Sequence, residues 1–544
     1  MKWEVLDRSR VLTSESLFSI LLNNRGIKTK KEREEFVNPT NPSEIKIEEI
    51  GVTSASLKKV IERIKEARKK KEFVVVYGDY DADGITATGI VWETLHDLGL
   101  EVLPFIPDRF EDGYGIKPMA VEKLKNKFPN LSLIITVDNG IVADEGVAKA
   151  KDLGIDVVVV DHHQKGIKKL STGYILHTTS VCGSALAWFL SRELCKSFHK
   201  PADACSSRLE LAAIGTIADQ MPLIGINRSV VKFGLKYLNK TKRPGFLSLF
   251  KEAGIKEIGQ YEVGFIIAPR INSMGRLKNG LESLRLICTK DKVRAMRLSN
   301  YIGKTNLDRQ KIVDEVIAHA LDSNIGDVNV IVLSSTKYHE GVIGLAAAKL
   351  VEKFYRPAIV ISEGEDISKA SGRSIAGFNI IEAIREVNLH MEGGGHPMAA
   401  GFSIKTEKIK KFEKEINKYA KSILTPEILQ KRLKIDCKID FDLINDALVS
   451  EIVKFEPVGL GNSQPVFETD KVEVLSANLV GRDARHIKLR LKQNEHVFDS
   501  IFFGGGEIYS KLLPDTKIDV AYSIEENIWN GYRNIQLKIK DIAI

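Results

Sequence analysis

The chain contains little cysteine and no long apolar run. Five cysteines occur among 544 residues, the number is odd, and no CxxC pair exists, so neither a disulfide framework nor a zinc ribbon is indicated. No apolar run approaches the ~20 residues that a membrane span requires. The charged N-terminus MKWEVLDRSR also lacks the apolar centre of a signal peptide. These absences predict a cytoplasmic protein without membrane attachment.

A strong excess of charge of one sign is also missing. The chain carries 80 Lys and Arg against 72 Asp and Glu, a net charge of +8. This balance suits either an ordinary solvated surface or a protein with one basic groove for a polyanion. The length and the 43% hydrophobic content allow several domains, each with its own core.

Alternating apolar runs and helical patterns divide the chain into five predicted segments. Strands alternating with helices in the first half indicate a parallel α/β sheet. The stretch 290–322 predicts one long connecting helix or two, and Asn530-Gly531 predicts a two-residue hairpin near the C-terminus. The predicted segments are a helical extension (1–50), an α/β domain (51–235), a helical connector (236–325), a smaller α/β domain (326–425) and a strand-rich domain (426–544).

Three apolar runs end on acidic residues. The carboxyl ends of parallel strands meet at one edge of a sheet, where ligands bind. Clustered carboxylates repel one another unless divalent cations compensate them, and aspartate with some histidine suits Mn²⁺ or Mg²⁺. The pattern therefore predicts a metal centre. FVVVY leads to Asp79, Asp81 and Asp83, LIITV leads to Asp138, and VVVV leads to Asp161, His162 and His163.

The spacing of the first three acids is also that of an EF-hand calcium loop. If Asp79 is the first loop position, the twelfth is Ile90, where an EF-hand needs a bidentate glutamate. An EF-hand also needs a helix before the loop, whereas FVVVY is typical of a strand. The sequence therefore argues against an EF-hand.

Four motifs, GDYDADG, VDNG, DHH and GTIADQMPL, resemble those of the DHH phosphoesterase superfamily, and most closely those of the RecJ single-stranded-DNA exonucleases. IPDRFEDGYG, CGSALA, APRINSMGRL, SGRSIAGFNI and GGGHPMAAGF resemble further family segments in the same order. FEPVGLGNSQPVF and the closing hairpin resemble its oligonucleotide-binding (OB) domain. The resemblance implies an α/β fold with a parallel-sheet DHH domain, a smaller DHH-associated domain joined by a long helix, and a C-terminal β-barrel of the OB type.

The resemblance also implies two metal ions, Mn²⁺ or Mg²⁺. Two ions roughly 3.5–4 Å apart can clamp the attacking and leaving oxygens of a phosphodiester. Asp138 would bridge the ions, and His163 would face the scissile phosphate. The implied ligands are Asp81, Asp83, Asp138, His162 and Asp219, and the implied catalytic residues are Asp79, Asp161 and His163. Asp79 is left open between a direct ligand and a contact through water.

Substrate contacts are implied in the same way. Arginine suits bidentate phosphate contacts, although a single arginine is also often part of a surface salt bridge. The implied substrate residues are Arg109, Tyr114, Arg270, Asn272, Arg276, Ser371, Arg373 and His396. In the strand-rich domain the candidates are Arg485, His486, Lys488, Trp529, Tyr532 and Arg533.

The implied activity is removal of mononucleotides from single-stranded DNA in repair or recombination, with 5′→3′ direction taken from the resemblance alone. Tyr77 stands where smaller relatives carry a ligand histidine, which favours a polynucleotide substrate. Two alternatives stay open: a relative that acts on RNA or from the 3′ end, and a non-catalytic replication scaffold. The expected partners are single-stranded DNA and a single-stranded-DNA-binding protein or helicase, with the chain acting as a monomer.

Overall fold

The computed structural model describes residues 1–9, 11, 13–201, 206–322, 328–481, 484–529 and 532–544. Within these residues every helix is too short or too polar to span a bilayer. The chain forms two compact units. The first comprises Met1–Ile45, Gln220–Phe233 and Arg432–Ile544, and the second comprises Lys46–Asp219 and Gly234–Lys431.

A five-stranded parallel sheet lies in the second unit, which confirms the predicted α/β domain. Its strands are β2 (Phe73–Tyr77), β3 (Glu101–Phe105), β4 (Leu131–Val137), β5 (Asp156–Asp161) and β6 (Tyr174–His177). They are ordered β3-β2-β4-β5-β6. Pro104, which cannot donate to a ladder, lies in the edge strand β3. The helices are α3 (Ser54–Lys70), α4 (Ala82–Asp97), α5 (Pro118–Lys127), α6 (Asp144–Asp152), α7 (Gly183–Ser197) and α8 (Leu209–Ala218).

The strand order places a crevice at one point of this sheet. The chain leaves β2 for β3 on one side, whereas β4 lies on the other side of β2. Ligands of open α/β sheets bind where the strand order reverses, beyond the carboxyl ends of the strands. The crevice therefore lies beyond the ends of β2 and β4, where acidic residues follow both strands.

A single long helix joins this sheet to a second one. Helix α13 runs 31 residues, Lys292–Asp322, so the one-helix alternative is correct. The helices before it are α9 (Gly225–Leu238), which begins in the first unit, α10 (Pro244–Ala253), α11 (Ala268–Leu277) and α12 (Leu281–Cys288). The smaller domain contains β7 (Ile331–Ser335), α14 (Ile343–Phe354), β8 (Ala358–Ser362), β9 (Ile367–Arg373), α15 (Ile380–Val387), β10 (His390–His396), β11 (Ala399–Lys405) and α16 (Ile409–Lys421). Its sheet, ordered β10-β11-β9-β8-β7, is mixed, because only β7 and β8 are parallel.

The first unit contains the predicted C-terminal barrel. Its elements are β12 (Arg432–Lys438), α17 (Asp446–Val453), β13 (Phe467–Val480), β14 (His486–Gln493), β15 (His496–Phe502), β16 (Lys517–Trp529) and β17 (Tyr532–Ala543). Strand β13 pairs with both β14 and β16, so five strands close in the order β13-β14-β15-β17-β16. Trp529 pairs with Tyr532 across the last two strands, and the predicted turn residues Asn530-Gly531 lie outside the described residues.

Two features differ from the sequence-based expectation. The N-terminal segment is not wholly helical, because β1 (Lys2–Asp7) precedes α1 (Ser14–Asn24) and α2 (Lys30–Val37) and pairs in parallel with β12. Its side chains alternate in exposure with the strand period of two. Cys195 is disulfide-bonded, whereas Cys182, Cys288 and Cys437 are free. The odd cysteine count did not exclude a single bridge.

Candidate metal centre

The start of helix α4 positions the first acidic residues. Asp81 is the N-cap of this helix, and its Oδ1 accepts a hydrogen bond from the Gly84 amide at 3.0 Å. Asp79 lies between the end of β2 and this cap, and its Oδ1 accepts from the Tyr80 amide at 2.7 Å. Acidic side chains are favourable here because the first amides of a helix have no partner within the helix. The motif thus holds its carboxylates through local backbone.

Helix α7 holds Asp83. The Gly183 and Ser184 amides donate to its two oxygens at 2.7 and 2.9 Å. A Cβ built on Gly215 would overlap an oxygen of this carboxylate, so only glycine fits there. The segment CGSALA resembles a family segment but was not predicted to have this role, and its glycine at a helix start was the available signal.

Asp138, which follows β4, has an unusual backbone. Its φ is +61°, in the left-handed region that aspartate and asparagine tolerate better than most residues. Its amide donates to the Val160 carbonyl at 2.9 Å, which fixes the turn. The residue is 2% exposed, and a Cβ on Gly183 would overlap its Oδ1. Packing therefore leaves the Asp138 carboxylate little freedom.

Asp161 positions His163. Its buried carboxylate accepts the Ile141 amide at 2.8 Å and the His162 amide at 2.7 Å, and its Oδ1 lies 2.7 Å from His163 Nδ1. A carboxylate only accepts, so Nδ1 is the donor. Burial acts to raise the pKa of Asp161, but hydrogen bonding and charge from His163 lower it overall. Burial acts to lower the pKa of His163, but Asp161 raises it overall. Asp161 contacts His163 Nδ1 and orients its ring, so it acts as a positioning residue.

The predicted ligands come together as two groups. In each group the ligand atoms lie within 4.8 Å of one another. The groups meet where Asp138 Oδ1 lies 3.0 Å from His162 Nε2. This arrangement includes Asp79, whose role the sequence left open, and brings in Asp219 from the end of α8. The first group is Asp79, Asp81 and Asp138, and the second is Asp83, His162 and Asp219; Asp138, His162 and His163 form a further group.

The electrostatics of these groups fit divalent cations. Burial, reinforced by the neighbouring carboxylates, raises the pKa of Asp79, Asp81 and Asp138, and raises that of Asp219 to about 8. Burial lowers the pKa of His162, which favours the neutral imidazole that binds metals. Although His162 Nε2 is near, the buried Asp138 Oδ1 has no hydrogen-bond partner among the residues that the structure describes. A cation would satisfy that oxygen and relieve the repulsion, and oxygen-rich ligands with one histidine suit Mn²⁺ or Mg²⁺.

Two tyrosines near the centre have different surroundings. The Tyr114 hydroxyl lies 3.2 Å from His163 Nε2, and 41% of the residue is exposed. Tyr77 is buried, and its hydroxyl donates to the Gly115 carbonyl at 3.2 Å. Tyr77 therefore holds the segment that carries Tyr114.

Three of the predicted arginines form no ion pair within the described part of the chain. Arg109 donates to the Gly275 carbonyl at 3.0 Å, with its guanidinium 4.3 Å from the centre of the Tyr80 ring. Arg276 donates to the Gly341 carbonyl at 3.2 Å. Burial, together with Arg109 and other arginines, lowers the pKa of Arg276 to about 10. Arg373 donates to Ser371 Oγ and the Gly372 carbonyl, at 3.2 and 2.8 Å. Guanidinium groups without carboxylates suit an anionic ligand.

Three other predicted substrate residues are placed differently. Arg270 forms an ion pair with Glu252, with Nε 2.9 Å from Oε2. Asn272 Oδ1 accepts the Ala82 amide at 2.7 Å, so this side chain holds the start of α4. His396 is exposed at the end of β10, the edge strand of its sheet. The residue types alone do not predict these placements, because the partners of Arg270 and Asn272 are distant from them in the sequence.

The barrel presents a separate set of candidates. Lys488 is exposed, and His486 Nδ1 accepts the Gly504 amide at 3.0 Å. Phe503, which is not among the predicted contacts, is 55% exposed, with Lys538 Nζ 5.7 Å from the centre of its ring. Arg533 is ion-paired with Glu526 and Arg485 is exposed, while the side chains of Trp529 and Tyr532 lie outside the described set.

Comparison with known proteins agrees with these domains. The chain matches the DHH family N-terminal domain over residues 73–216, the DHHA1 domain over 327–422 and the RecJ OB domain over 435–541. The single-stranded-DNA-specific exonuclease RecJ of Bacillus subtilis is 33% identical over the whole chain and 71% of the relative. That of Thermus thermophilus is 31% identical over 88% of the chain and 70% of the relative.

Solved structures give the same result. The crystal structure of RecJ in complex with Mn²⁺ from Thermus thermophilus has a TM-score of 0.84 and 27% identity, over the whole chain and 79% of that structure. A crystal structure of exonuclease RecJ bound to manganese has a TM-score of 0.61 and 32% identity, over 68% of the chain and 96% of that structure. The chain therefore belongs to the RecJ family, whose curated members are single-stranded-DNA-specific exonucleases.

Proposed function

We propose that this chain is a metal-dependent exonuclease that hydrolyses single-stranded DNA from its 5′ end and releases mononucleotides, in repair or recombination. The observation that carries the proposal is the meeting of two acidic groups at Asp138 and His162. Similarity to RecJ of Bacillus subtilis, over the whole given chain and 71% of that relative, supports the substrate class. The 5′→3′ direction rests on family resemblance.

Each of the two groups of side chains would hold one metal ion. Asp79, Asp81 and Asp138 would hold one cation, and Asp83, His162 and Asp219 the other. Bound Mn²⁺ or Mg²⁺ supplies a hydroxide at neutral pH and neutralises charge on the phosphoryl oxygens. Neutral His162 and the α7 amides that hold Asp83 keep the ligands in place before substrate arrives.

His163 is the residue that meets the phosphate. Asp161 fixes its Nδ1 and raises its pKa overall, so that the charged imidazolium persists to a higher pH. A positioned imidazolium can donate to a phosphoryl oxygen or protonate the departing one. Tyr114, whose hydroxyl lies 3.2 Å from His163 Nε2, would contact the same phosphate.

Arginines and the barrel account for a polynucleotide substrate. Arg109, Arg276 and Arg373 form no ion pair in the described part of the chain and would contact backbone phosphates. On the barrel, Lys488, Ile501 and Lys538 lie in one row across β14, β15 and β17. Phe503 offers an exposed ring for base stacking beside this basic row.

End-labelled DNA tests the proposal directly. Purified chain with Mn²⁺ should release a labelled mononucleotide at once from a 5′-labelled single strand, and only late from a 3′-labelled strand. Matched single-stranded RNA, blocked 5′ ends and blunt duplex should be degraded much more slowly. The control Asp138→Asn should be inactive. Early release from the 3′ label or from RNA would favour the alternative family activity, and absence of release would favour a scaffold.

The proposal also covers the localisation, oligomeric state and protein partners of the chain. We infer a cytoplasmic monomer that works with a single-stranded-DNA-binding protein or a helicase, supported by the family resemblance. Sedimentation equilibrium should give the mass of one chain. Addition of a single-stranded-DNA-binding protein should change the rate on long strands without changing the rate on short ones, and an equal effect on both would count against a partner.

A further inference from the structure

Arg309 on the connecting helix α13 has an incomplete set of partners. The residue is half-buried, and its Nε donates to Asn306 Oδ1 at 3.1 Å. It forms no ion pair within the described residues. Asp314, the acidic residue that acts on it electrostatically, is instead paired with Lys349 at 2.8 Å. The outer nitrogens of this guanidinium are therefore available to another acceptor.

Helix α13, which carries Arg309, packs against α11, which carries Arg270 and Arg276. Burial and Arg270 lower the pKa of Arg309, and Arg309 contributes with Arg109 and Arg373 to the lowered pKa of Arg276. Such a group of cations destabilises the fold unless an anion enters. Arg309 thus belongs to the same electrostatic neighbourhood as the arginines near the metal centre.

Glu252, a carboxylate that packs against α13, is paired with another arginine. Glu252 packs against Gly303 of α13, where a Cβ would overlap its carboxylate, and it pairs with Arg270 at 2.9 Å. Asn306, 2% exposed, directs the Arg309 side chain through a neutral contact. The sequence predicts Arg270 as a substrate contact, but Arg270 is paired with Glu252, whereas Arg309 has no carboxylate partner among the described residues.

We propose that Arg309 binds a backbone phosphate of the DNA strand beyond those held at the metal centre, oriented by Asn306. Arg270 acts indirectly, because it neutralises Glu252. The inference rests on the proposed function, since it assigns a further substrate contact to the same nuclease. The competing interpretation is an arginine that only stabilises α13.

Salt dependence of DNA binding separates these interpretations. Each phosphate contact on a single strand contributes a slope of about −0.7 to a plot of log K against log salt concentration. The full chain would be titrated with fluorescein-labelled oligothymidylate in EDTA, which prevents cleavage, over a series of KCl concentrations. Arg309→Gln should lower the magnitude of this slope by about 0.7 and weaken binding several-fold at low salt. Arg309→Lys should keep the slope.

Two further variants make the test specific. Lys311→Gln removes the same charge two residues along α13, on the exposed side of the helix, and should leave the slope unchanged. Asn306→Asp puts a carboxylate beside the intact Arg309 and should reduce the slope as Arg309→Gln does. It therefore serves as the test if Arg309→Gln does not fold, as judged by circular dichroism.

Three results would overturn the inference: an unchanged slope in Arg309→Gln, an unchanged slope in Asn306→Asp, or an equal loss in Lys311→Gln. Failure here is distinguishable from failure of the proposed function. If the wild type releases nucleotides while the slopes are unchanged, only the Arg309 contact is wrong. If the wild type binds DNA but releases nothing with Mn²⁺, the nuclease proposal is wrong whatever the slopes show.

Discussion

Replacing Asp138 by asparagine should stabilise the metal-free protein while abolishing metal binding. Asparagine has the same shape and tolerates the left-handed backbone at this position. The ligand atoms of Asp79, Asp81 and Asp138 lie within 4.8 Å of one another. At an effective dielectric constant of about 20, two ionised groups at that separation repel by about 3.5 kcal/mol. Protonation already relieves part of this cost, so the variant should gain about 1–3 kcal/mol.

Thermal unfolding in EDTA and in Mn²⁺ measures both effects. A gain of this size should raise the Tm of the metal-free second unit by roughly 1–4 °C. Mn²⁺ should raise the Tm of the wild type through preferential binding to the folded state. It should leave that of Asp138→Asn nearly unchanged.

The pH dependence has a defined sign. The folded-state pKa of Asp138 lies above the unfolded value of about 3.9. The stability of the metal-free wild type is therefore full below that value and falls as pH rises through the folded pKa. Between about pH 5 and about pH 8 the Tm of the wild type in EDTA should fall more than that of Asp138→Asn. A variant that melts below the wild type in EDTA, or that responds equally to Mn²⁺, would refute this reasoning.

Three further variants test other parts of the structure. Gly183→Ala places a methyl group against Asp138, so it should lower the free energy of unfolding by about 1–3 kcal/mol and abolish the Tm gain with Mn²⁺. The control Gly173→Ala, at a position with open space, should have neither effect. Asp161→Asn removes the charge that orients His163 and should lower the single-turnover rate by about 10²–10⁴-fold; calorimetry should show Mn²⁺ binding retained, and loss of binding would contradict a positioning role. Arg228, fully buried, donates to five backbone carbonyls of the first unit, so Arg228→Met should cost about 3–5 kcal/mol in urea unfolding, and a cost below about 1 kcal/mol would show that these bonds add little.

The sequence by itself determined the sheet and the grouping of acidic residues at its edge. Apolar runs that end on Asp79, Asp138 and Asp161 predict a common edge, because parallel strands place their carboxyl ends together. The same local logic predicts the closing hairpin, whose strands pair at Trp529 and Tyr532. These features depend on periodicity and on neighbours along the chain, which the residues carry directly.

Tertiary structure alone decided which polar side chains already form ion pairs or hydrogen bonds within the protein. Arg270 and Arg309 are the same residue type, but Glu252 pairs with the first, and the second has no carboxylate partner among the described residues. Asn272 was expected at the substrate and instead holds the start of α4. Asp219 reaches the centre only because α8 ends beside α4 and α7. Each outcome depends on a partner distant in sequence, because the energy of a buried charge is set by what surrounds it in space.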